Sequence, residues 1–452
     1  MKNLYSDTIV APATIPGTGA ISIVRISGPE AFRITDSVVR LASGTVSDAA
    51  GYTLHYGEVP GLDQVLVSVF RAPHSYTGED SVEVSTHASA YIVQELVRLL
   101  MEAGARFAET GEFTRRAFLN GKMDLTQAEA VADVIASGNA AAQRVAMNQL
   151  KGGFSKELAS LRSELLEMAS LLELELDFSE EDVEFADRSK LLSLLDEGKK
   201  HVDKLAASFH QGNLVKNGVP VAIVGPANAG KSTLLNALVG EERAIVTDIP
   251  GTTRDTLEET LTLGGILFRF IDTAGIRASE DTVEKLGIER SFRAIDQAEI
   301  VLVMRDATSE QAFDLADERL AGKKVFVIYN KADLLKDSEC NSNVNSNNIF
   351  VISAKYGQGI EKLKEALLAA EKDLIPNEDS TFVTNIRHYE ALRNASSALA
   401  DCHRALSSGI PSDLVAEDLR RALASVNAIL GTDLLDPEAI LQNIFAKHCI
   451  GK

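Results

Sequence analysis

The sequence predicts a doubly wound α/β domain with a mostly parallel sheet, inserted into an α-helical domain and preceded by a second, mixed α/β domain. Three patterns predict this arrangement. Strand-like and helical runs alternate between about residues 218 and 375, which is the order of a doubly wound parallel sheet. Helical apolar spacing fills the segments on both sides of that region. Short β-branched runs occupy the first 118 residues.

The N-terminal segment, residues 1–118, is punctuated by glycine and proline between its strand-like runs. These runs are DTIVAP, AISIVRIS, QVLVSVF and DSVEVSTHA. The run AYIVQELVRLLMEAG that follows them has helical spacing. We therefore expect a mixed α/β domain over residues 1–118.

The flanking helical segments cover about residues 120 to 214 and the chain after residue 380. Since the two ends of a domain often lie close together, one domain can be inserted into another. We therefore expect residues 119–216 and 379–452 to form one discontinuous helical domain, with residues 217–378 inserted in it. Two independent helical modules are the alternative. The residues expected to form the apolar stripes are Leu125, Ala128, Val131, Val134 and Ile135; Leu158, Leu161, Leu165, Met168 and Leu172; and Leu419, Ala422, Leu423, Val426, Ile429 and Leu430.

Composition and charge exclude several classes of protein. The 452 residues carry a net charge of −20, so a role with nucleic acid would need a local basic patch or a partner that holds the RNA. The acidic run LLELELDFSEEDVEF (171–185) is expected to be a solvated connection between helices. Three scattered cysteines, Cys340, Cys402 and Cys449, exclude a disulfide scaffold and a CxxC zinc site. No apolar run approaches the roughly 18 residues that span a bilayer, and the start lacks signal-peptide features, so we expect a cytoplasmic protein without a membrane span.

A phosphate-binding loop is predicted at GPANAGKS (225–232). The string fits G-x-x-x-x-G-K-[ST] and lies between the strand-like VPVAIV and the helical STLLNALVG, which is the context that the motif requires. Backbone N–H groups of such a loop wrap phosphates at a helix N-terminus. Lys231 would bridge the β- and γ-phosphates and Ser232 would bind Mg²⁺. The nucleotide-binding candidates in this loop are Asn228, Ala229, Gly230, Lys231, Ser232 and Thr233.

The base is predicted to be guanine. NKAD (330–333) follows the strand-like KVFVIY, and Asp333 can accept hydrogen bonds from both the ring N–H and the 2-amino group of guanine. Adenine lacks that donor pair, and paired hydrogen bonds discriminate strongly. SAK (353–355) would support the base through backbone N–H. The sequence therefore predicts GTP binding by Asn330, Lys331, Asp333, Ser353, Ala354 and Lys355.

Two further segments are predicted to respond to the γ-phosphate. TDIPGTTRD (247–255) supplies a switch whose threonine completes the Mg²⁺ shell; Thr253 is expected in that role, with Thr252 as the alternative. DTAG (272–275) presents an aspartate to Mg²⁺ and a glycine to the γ-phosphate. Ile276 follows, where many GTPases have a glutamine that orients water. The candidates are Thr247, Asp248, Ile249, Pro250, Gly251, Thr252 and Thr253, with Asp272, Thr273, Ala274 and Gly275.

The chain resembles the MnmE (TrmE) family of tRNA-modifying GTPases from end to end. Beyond the GTPase motifs, the resemblance rests on DTIVA and RISG near the start, TGEDSVE (77–83), GEFTRRAFLNGKMDLTQAEA (111–130), TNIRHYEAL (384–392) and the terminal CIGK (449–452). It implies an N-terminal folate-binding-like α/β domain that dimerises, a helical domain, and a P-loop GTPase domain inserted in the helical one.

For the hydrolysis of GTP, the resemblance implies a potassium ion against the phosphates, which takes the place of an arginine finger. By residue match, Asn228 gives a side-chain ligand to K⁺, and Thr247, Ile249 and Thr252 give oxygens. Glu284 would orient the attacking water; apart from the resemblance, it would be a solvated carboxylate on a helix face.

For the modification itself, the resemblance implies an FAD-dependent partner, MnmG (GidA). Together the two proteins would build a carboxymethylaminomethyl or aminomethyl group on C5 of the wobble uridine of certain tRNAs, with the tRNA held mainly by the partner. A tetrahydrofolate derivative would provide a one-carbon unit and would contact Arg25, Glu83, Lys122 and Lys452. Cys449 would be either a nucleophile or a packing residue.

Two other kinds of protein are considered as alternatives. A regulatory GTPase of ribosome assembly, without modification chemistry, usually carries a basic RNA-binding module, and the acidity of this chain counts against it. A dynamin-like GTPase would need a basic amphipathic segment that faces a membrane, and the sequence contains none. Folate binding would separate the tRNA-modifying GTPase from both.

Overall fold

A computed structural model of the protein describes residues 7–177, 188–240, 259–271, 284–309, 318–335, 348–375, 381–408, 410, 412–432 and 451. The chain divides into two compact units. The first consists of Met1–Ile135, Gln149–Gly198 and Ser397–Lys452, and the second of Ala136–Asn148 and Lys199–Ser396. The predicted domain boundaries stay a prediction.

A seven-stranded sheet forms the N-terminal part of the first unit, in the order β3-β4-β5-β6-β2-β1-β7. Neighbouring strands are antiparallel except β1 and β7, which are parallel. Alternate residues of β5 and β6, such as Val67 and Val84, are buried in a core with α1 and α2, as expected of a sheet with one covered face. The elements are β1 (Ile9–Pro12), β2 (Gly19–Ser27), α1 (Ala31–Val38), β3 (Arg40–Leu41), β4 (Thr53–Val59), β5 (Asp63–Phe70), β6 (Ser81–Ala88), α2 (Ala90–Glu102), β7 (Arg106–Phe107) and α3 (Glu112–Leu119).

A buried network of ion pairs fixes α3 to this sheet. Arg116 is fully buried and pairs with Asp7, Glu79 and Glu112. Burial would raise the pKa of Glu112, but the hydrogen bond from Arg106 and the nearby Arg116 outweigh it and lower that pKa. The network therefore stabilises the fold at neutral pH, and this contribution is lost as the pH falls through the lowered pKa of Glu112.

Helices make up the rest of the first unit, and further helical segments belong to the second. The apolar stripe predicted from Leu158 to Leu172 is buried, and α6 packs against α12, where Nε of Arg162 donates to Oδ1 of Asn427 at 2.8 Å. Two expectations are wrong. Ile135 is 43% exposed, and α6 continues to Asp177, so the first seven residues of the acidic run are helical and not a connection. The helices are α4 (Leu125–Ala136), α5 (Ala140–Leu150), α6 (Gly153–Asp177), α7 (Arg188–Asn217), α11 (Ile386–Ser407) and α12 (Ser412–Leu430).

The second unit contains a six-stranded sheet in the order β13-β12-β11-β8-β10-β9. All neighbours are parallel except β9 and β10 at the edge. Val221 and Ile223 of β8 enter one apolar core, and Ala222 and Val224 enter another on the opposite face. Burial on both faces confirms the doubly wound fold. The elements are β8 (Val219–Val224), α8 (Lys231–Val239), β9 (Glu259–Leu263), β10 (Ile266–Phe270), α9 (Glu284–Gln297), β11 (Ile300–Asp306), β12 (Lys324–Asn330), β13 (Ile349–Val351) and α10 (Ile360–Leu374), with 3₁₀ turns at Glu318–Leu320 and Ala332–Leu334.

None of the helices in the described residues combines the length and the apolar character that a membrane span requires.

Candidate active site

The predicted nucleotide motifs meet at one edge of the six-stranded sheet. The phosphate-binding loop follows β8, NKAD begins at the last residue of β12, and SAK follows β13. Parallel strands place their carboxyl ends at the same edge, which is where open α/β sheets bind ligands. The strand order therefore brings together motifs that are more than a hundred residues apart in sequence.

Lys231 of the phosphate-binding loop is a partly buried cation. Its Nζ donates to the carbonyl oxygens of Gly225 and Pro226, at 2.8 and 2.7 Å. Burial lowers the pKa of this ammonium group. No carboxylate of the described residues lies within ion-pair distance of it. A cation without a carboxylate, at the first residue of α8, is suited to a bound anion such as a phosphate.

Asn330 joins the phosphate-binding loop to the base-binding segments. Its side-chain amide is 3% exposed; Nδ2 donates to the carbonyl oxygen of Ala229 at 2.9 Å, and Oδ1 accepts from the backbone N–H of Ala354 at 3.0 Å. Both partners are backbone groups, so this amide fixes the distance between the loops themselves. A Cβ atom at Gly230 would lie 2.2 Å from Nδ2 of Asn330, which leaves no room for a side chain there.

The remaining residues of NKAD are bonded to two other segments, the end of β11 and the segment that follows β13. Nζ of Lys331 lies 2.6 Å from Oδ2 of Asp306, at the end of β11. The N–H of Ala332 donates to the carbonyl oxygen of Ile352 at 3.0 Å. Oγ of Ser353 donates to Oδ1 of Asp333 at 2.5 Å. The carboxylate of Asp333 is therefore oriented through one oxygen. The other oxygen accepts no hydrogen bond from the described residues.

Several predicted residues of this site lie outside the described part of the chain. They are the switch residues Thr247, Asp248, Ile249, Pro250, Gly251, Thr252 and Thr253, and the DTAG residues Asp272, Thr273, Ala274 and Gly275. Glu284 begins α9, and its side chain lies outside the described part. Asn228 is described: it is exposed and has a left-handed backbone, with φ of 62°.

A second group of predicted residues lies on the N-terminal sheet. Arg25 and Glu83 are cross-strand partners on β2 and β6, and Nη2 of Arg25 lies 2.7 Å from Oε1 of Glu83. The guanidinium carbon of Arg25 is 5.5 Å from the ring centre of Tyr76 and 5.7 Å from that of Phe113. Aromatic faces and a carboxylate together fix the orientation of this cation.

The C-terminal tail reaches the same arginine. Nη1 of Arg25 donates to the carbonyl oxygen of Gly451 at 3.2 Å, and Gly451 is buried. Its φ is +92°, and a Cβ atom there would lie 2.1 Å from the carbonyl oxygen of Pro12. Only glycine fits this approach of the tail to the N-terminal domain. Lys452 and Cys449 lie outside the described residues.

Lys122 is joined to Arg25 through the loop that follows β5. Its Nζ donates to the carbonyl oxygen of Pro73 at 2.8 Å, and its stem packs beside Gly78. Tyr76, which contacts Arg25, belongs to the same loop. The structure thus brings Arg25, Glu83 and the tail into contact, and places Lys122 against the loop that carries Tyr76.

Comparison with known proteins places these features in a family. A model of the MnmE helical domain matches residues 125–449, and a model of the N-terminus of the GTP-binding protein TrmE matches residues 8–122. The chain is 50% identical to the tRNA modification GTPase MnmE of Bacteroides thetaiotaomicron, over 99% of this chain and 100% of that protein. It is 48% identical to the protein of the same name from Flavobacterium johnsoniae, with the same coverage. The relative from Parabacteroides distasonis is 47% identical over 98% of this chain and 100% of its own length.

The chain belongs to the MnmE family of tRNA modification GTPases. Membership confirms the predicted family and fold class, and it confirms the enzyme class, a GTP hydrolase that acts in tRNA modification. An enzyme of this class uses GTP as its substrate and Mg²⁺ as its metal ion.

Sequence reasoning missed Asp306, Tyr76 and Phe113. Asp306 carries a recognisable signal, because it is a charged residue at the carboxyl end of the apolar strand IVLVM. In an MnmE protein that strand ends at the nucleotide edge of the sheet. The two aromatic residues carry no comparable signal, since packing residues of this kind occur throughout the chain.

The close approach of Gly230 to Asn330 gives a testable prediction. Gly230→Ala should lower the affinity for GTP and GDP at least ~100-fold, because the added methyl displaces the amide that joins the two loops, at a cost of several kcal/mol. Binding of a fluorescent GDP analogue measures this. Gly322→Ala is the matched control, since Gly322 has a similar positive φ of 78° but no atom within 4 Å of an added Cβ. Equal losses in both variants would contradict the steric explanation.

Proposed function

We propose that this chain is a potassium-dependent GTP hydrolase that modifies C5 of the wobble uridine of certain tRNAs together with an FAD-dependent partner of the MnmG (GidA) kind. The product would be carboxymethylaminomethyl- or aminomethyl-uridine, with a one-carbon unit supplied by a bound tetrahydrofolate derivative. The partner would hold most of the tRNA, because this chain has a net charge of −20. The observation that carries the proposal is the contact of the C-terminal tail with Arg25, in a chain that also joins the phosphate-binding loop to the NKAD and SAK segments through Asn330.

The roles proposed at the nucleotide follow from the charges and hydrogen bonds on the sheet edge. Lys231 would meet the β- and γ-phosphates, since its described partners are two carbonyl oxygens and its burial favours an added negative charge. Ser232 would bind Mg²⁺. Asp333, with one oxygen fixed by Ser353, would accept from guanine through the other. In this family the guanine contact selects GTP over ATP.

A potassium site would be formed around Asn228. This residue stands exposed on the phosphate-binding loop with its backbone in the left-handed region, so its side-chain oxygen is open to a ligand. Thr247, Ile249 and Thr252 would complete the ligands of K⁺, and Thr253 would bind Mg²⁺. Neutral oxygens of this kind suit a monovalent cation. When bound, K⁺ would stabilise the negative charge that develops on the phosphates. Glu284 would orient the attacking water.

The folate site would lie around Arg25 and the C-terminal tail. Glu83 offers a carboxylate for the amino-pyrimidine edge of a pterin, and the cations of Arg25, Lys122 and Lys452 suit the glutamyl carboxylates. The pair of Arg25 and Glu83 at 2.7 Å keeps both groups oriented before a ligand binds. This preorganisation lowers the entropic cost of binding.

A second copy of the chain would bind the outer face of the N-terminal sheet. Leu54, Tyr56 and Leu66 are 61%, 54% and 42% exposed and lie on neighbouring strands β4 and β5. Leu66 is opposite Ser85, which shares a face of β6 with Glu83, so this apolar patch continues into the proposed folate site. Exposed apolar patches of this kind mark association surfaces.

Introducing a charge into this patch tests the homodimer. Leu66→Glu should convert a dimer into a monomer, because a carboxylate would be buried without a partner. Sedimentation equilibrium measures the mass. Leu334→Glu, at a 63% exposed leucine of the other unit, should leave the dimer intact. A dimer that survives Leu66→Glu would refute this face as the interface.

Hydrolysis should depend on the monovalent cation. K⁺ should raise kcat well above its value in Na⁺ at equal ionic strength, and Asn228→Ala should remove the difference, since one ligand of the ion is lost. Glu284→Ala should lower kcat in both salts with little change in GTP affinity, because water positioning matters in the transition state. Steady-state rates in matched salts decide this, and equal rates of the parent protein in K⁺ and Na⁺ would overturn the potassium site.

Gly451→Ala should separate the folate site from the nucleotide site. The added methyl cannot fit against Pro12, so the tail should leave Arg25, and folate affinity should fall roughly 10- to 100-fold, as expected for one charge-assisted contact. GTP turnover should change less than about twofold. Calorimetry with a tetrahydrofolate derivative and mass analysis of wobble uridines in cells that carry the variant provide the two readouts.

Gly44→Ala is the control for that experiment. Gly44 lies in the same domain, has φ of +73° and has no atom within 4 Å of an added Cβ, so folate binding should persist. If Gly451→Ala binds folate normally, the tail does not form the pocket. Two results together would instead indicate a regulatory GTPase without modification chemistry. The parent protein would bind no folate, and cells that lack the protein would have unchanged wobble uridines.

A further inference from the structure

Asp306 is a carboxylate at the nucleotide edge that none of the sequence motifs includes. It is the last residue of β11, directly opposite Asn330 of β12, and the backbone N–H of Ala307 donates to the carbonyl oxygen of Asn330 at 2.9 Å. The end of β11 and the start of NKAD therefore form one rigid unit. The side chain of Asp306 is 16% exposed, so it stands inside the site and not on the open surface.

The two oxygens of Asp306 have different partners. Oδ1 accepts from the backbone N–H of Thr308 at 2.9 Å and from its hydroxyl at 2.7 Å. Oδ2 lies 2.6 Å from Nζ of Lys331. The turn at Thr308 thus holds the carboxylate in the orientation that faces the lysine. Burial would raise the pKa of Asp306, but the hydrogen bonds from Lys331 and Thr308 outweigh it and lower that pKa to about 2, so the group stays ionised at physiological pH.

Lys331 has a side chain and a backbone that both require support from neighbouring groups such as Asp306. Its backbone is left-handed, with φ of 68°, which a residue with a Cβ adopts only when its surroundings enforce it. Its long side chain loses rotamer entropy when it is ordered against a ligand. The ion pair with Asp306, whose carboxylate is itself held by Thr308, orders the side chain of Lys331 before a nucleotide binds.

We infer that Asp306 is a positioning residue for guanine-nucleotide binding, which acts by holding Lys331 in its binding geometry. The inference rests on the proposed contact of Lys331 with the nucleotide. Because the base does not change during hydrolysis, the contribution of Asp306 is the same for substrate, transition state and product. It affects the affinities for GTP and GDP equally and leaves kcat unchanged.

Asp306→Asn is the first test. Asparagine keeps an oxygen for Thr308 but removes the negative charge that faces Lys331. The dissociation constants of GTP and GDP should both rise roughly three- to tenfold, the cost of immobilising one long side chain on binding. At saturating GTP, kcat should match that of the parent protein, and so should the melting temperature without nucleotide. A fall in kcat, or a lower melting temperature that accounts for the weaker binding, would overturn the inference.

A double-mutant cycle separates positioning from general support of the fold. Lys331→Met should weaken nucleotide binding, and in that background Asp306→Asn should have no further effect, because the group through which Asp306 acts is gone. A full effect of Asp306→Asn in the Lys331→Met protein would refute the mechanism. If Lys331→Met leaves affinity unchanged, the proposed nucleotide contact of Lys331 itself fails; if only Asp306→Asn is silent, the positioning role alone fails.

Asp373→Asn is the matched control. Nζ of Lys324 lies 2.7 Å from Oδ2 of Asp373, and Lys324 is the first residue of β12, whereas Asn330 is the last. The same chemical change is thus made on a lysine–aspartate pair at the opposite end of β12. Nucleotide affinity should not change in this variant. A comparable loss in Asp373→Asn would show that the effect at Asp306 reflects the charge of the domain and not the position of Lys331.

Discussion

The nucleotide edge depends on one buried amide, that of Asn330. Its two hydrogen bonds join the phosphate-binding loop after β8 to the segment after β13, although five strands, β9 to β13, separate these segments along the chain, and two strands lie between β8 and β13 in the sheet. Because both partners are backbone atoms, the amide fixes positions and not particular side chains. At 3% exposure, the loss of either bond would leave a buried polar group unsatisfied, at a cost of roughly 1–3 kcal/mol. The requirement for glycine at position 230 follows directly from this bridge.

Much of the fold could be predicted from the sequence because its signals are local. Apolar strands such as VPVAIV and IVLVMRD alternate with helical runs, and this is sufficient to predict a parallel sheet covered on both faces. Strand β4 was not predicted from the sequence. Its exposed residues include Leu54 and Tyr56, which are apolar, so it lacks the usual contrast between a buried apolar face and a polar outer face. Ile135 has the spacing of a buried stripe, but it lies at the end of α4, where the helix face is exposed.

Other features could not be predicted because they join residues far apart in the chain. Gly451 is required by the carbonyl oxygen of Pro12, more than four hundred residues earlier, and no local pattern in CIGK reveals that contact. Arg116 is likewise fully buried among carboxylates that include Asp7 and Glu79. In a sequence, the charges of GEFTRRAF resemble an ordinary solvated helix face. The resemblance to a family assigned roles to Arg25 and Glu83, but it gave neither their direct pairing nor the aromatic rings of Tyr76 and Phe113 around the guanidinium.

Three cations of the two candidate sites, Lys231, Lys331 and Arg25, differ in whether a carboxylate neutralises them. Lys231 is bonded to two carbonyl oxygens, and no carboxylate of the described residues neutralises it, which leaves its full charge for a phosphate. Lys331 and Arg25 are each neutralised by a carboxylate, at 2.6 and 2.7 Å. A guanine ring is neutral, so an unpaired ammonium group beside it would gain little electrostatic energy, and its side chain would remain mobile. The carboxylate of Asp306 neutralises the ammonium group of Lys331 and orders its side chain. Arg25 is paired with Glu83 in the same way, so its site presents hydrogen-bond donors and a carboxylate acceptor side by side and not a free positive charge.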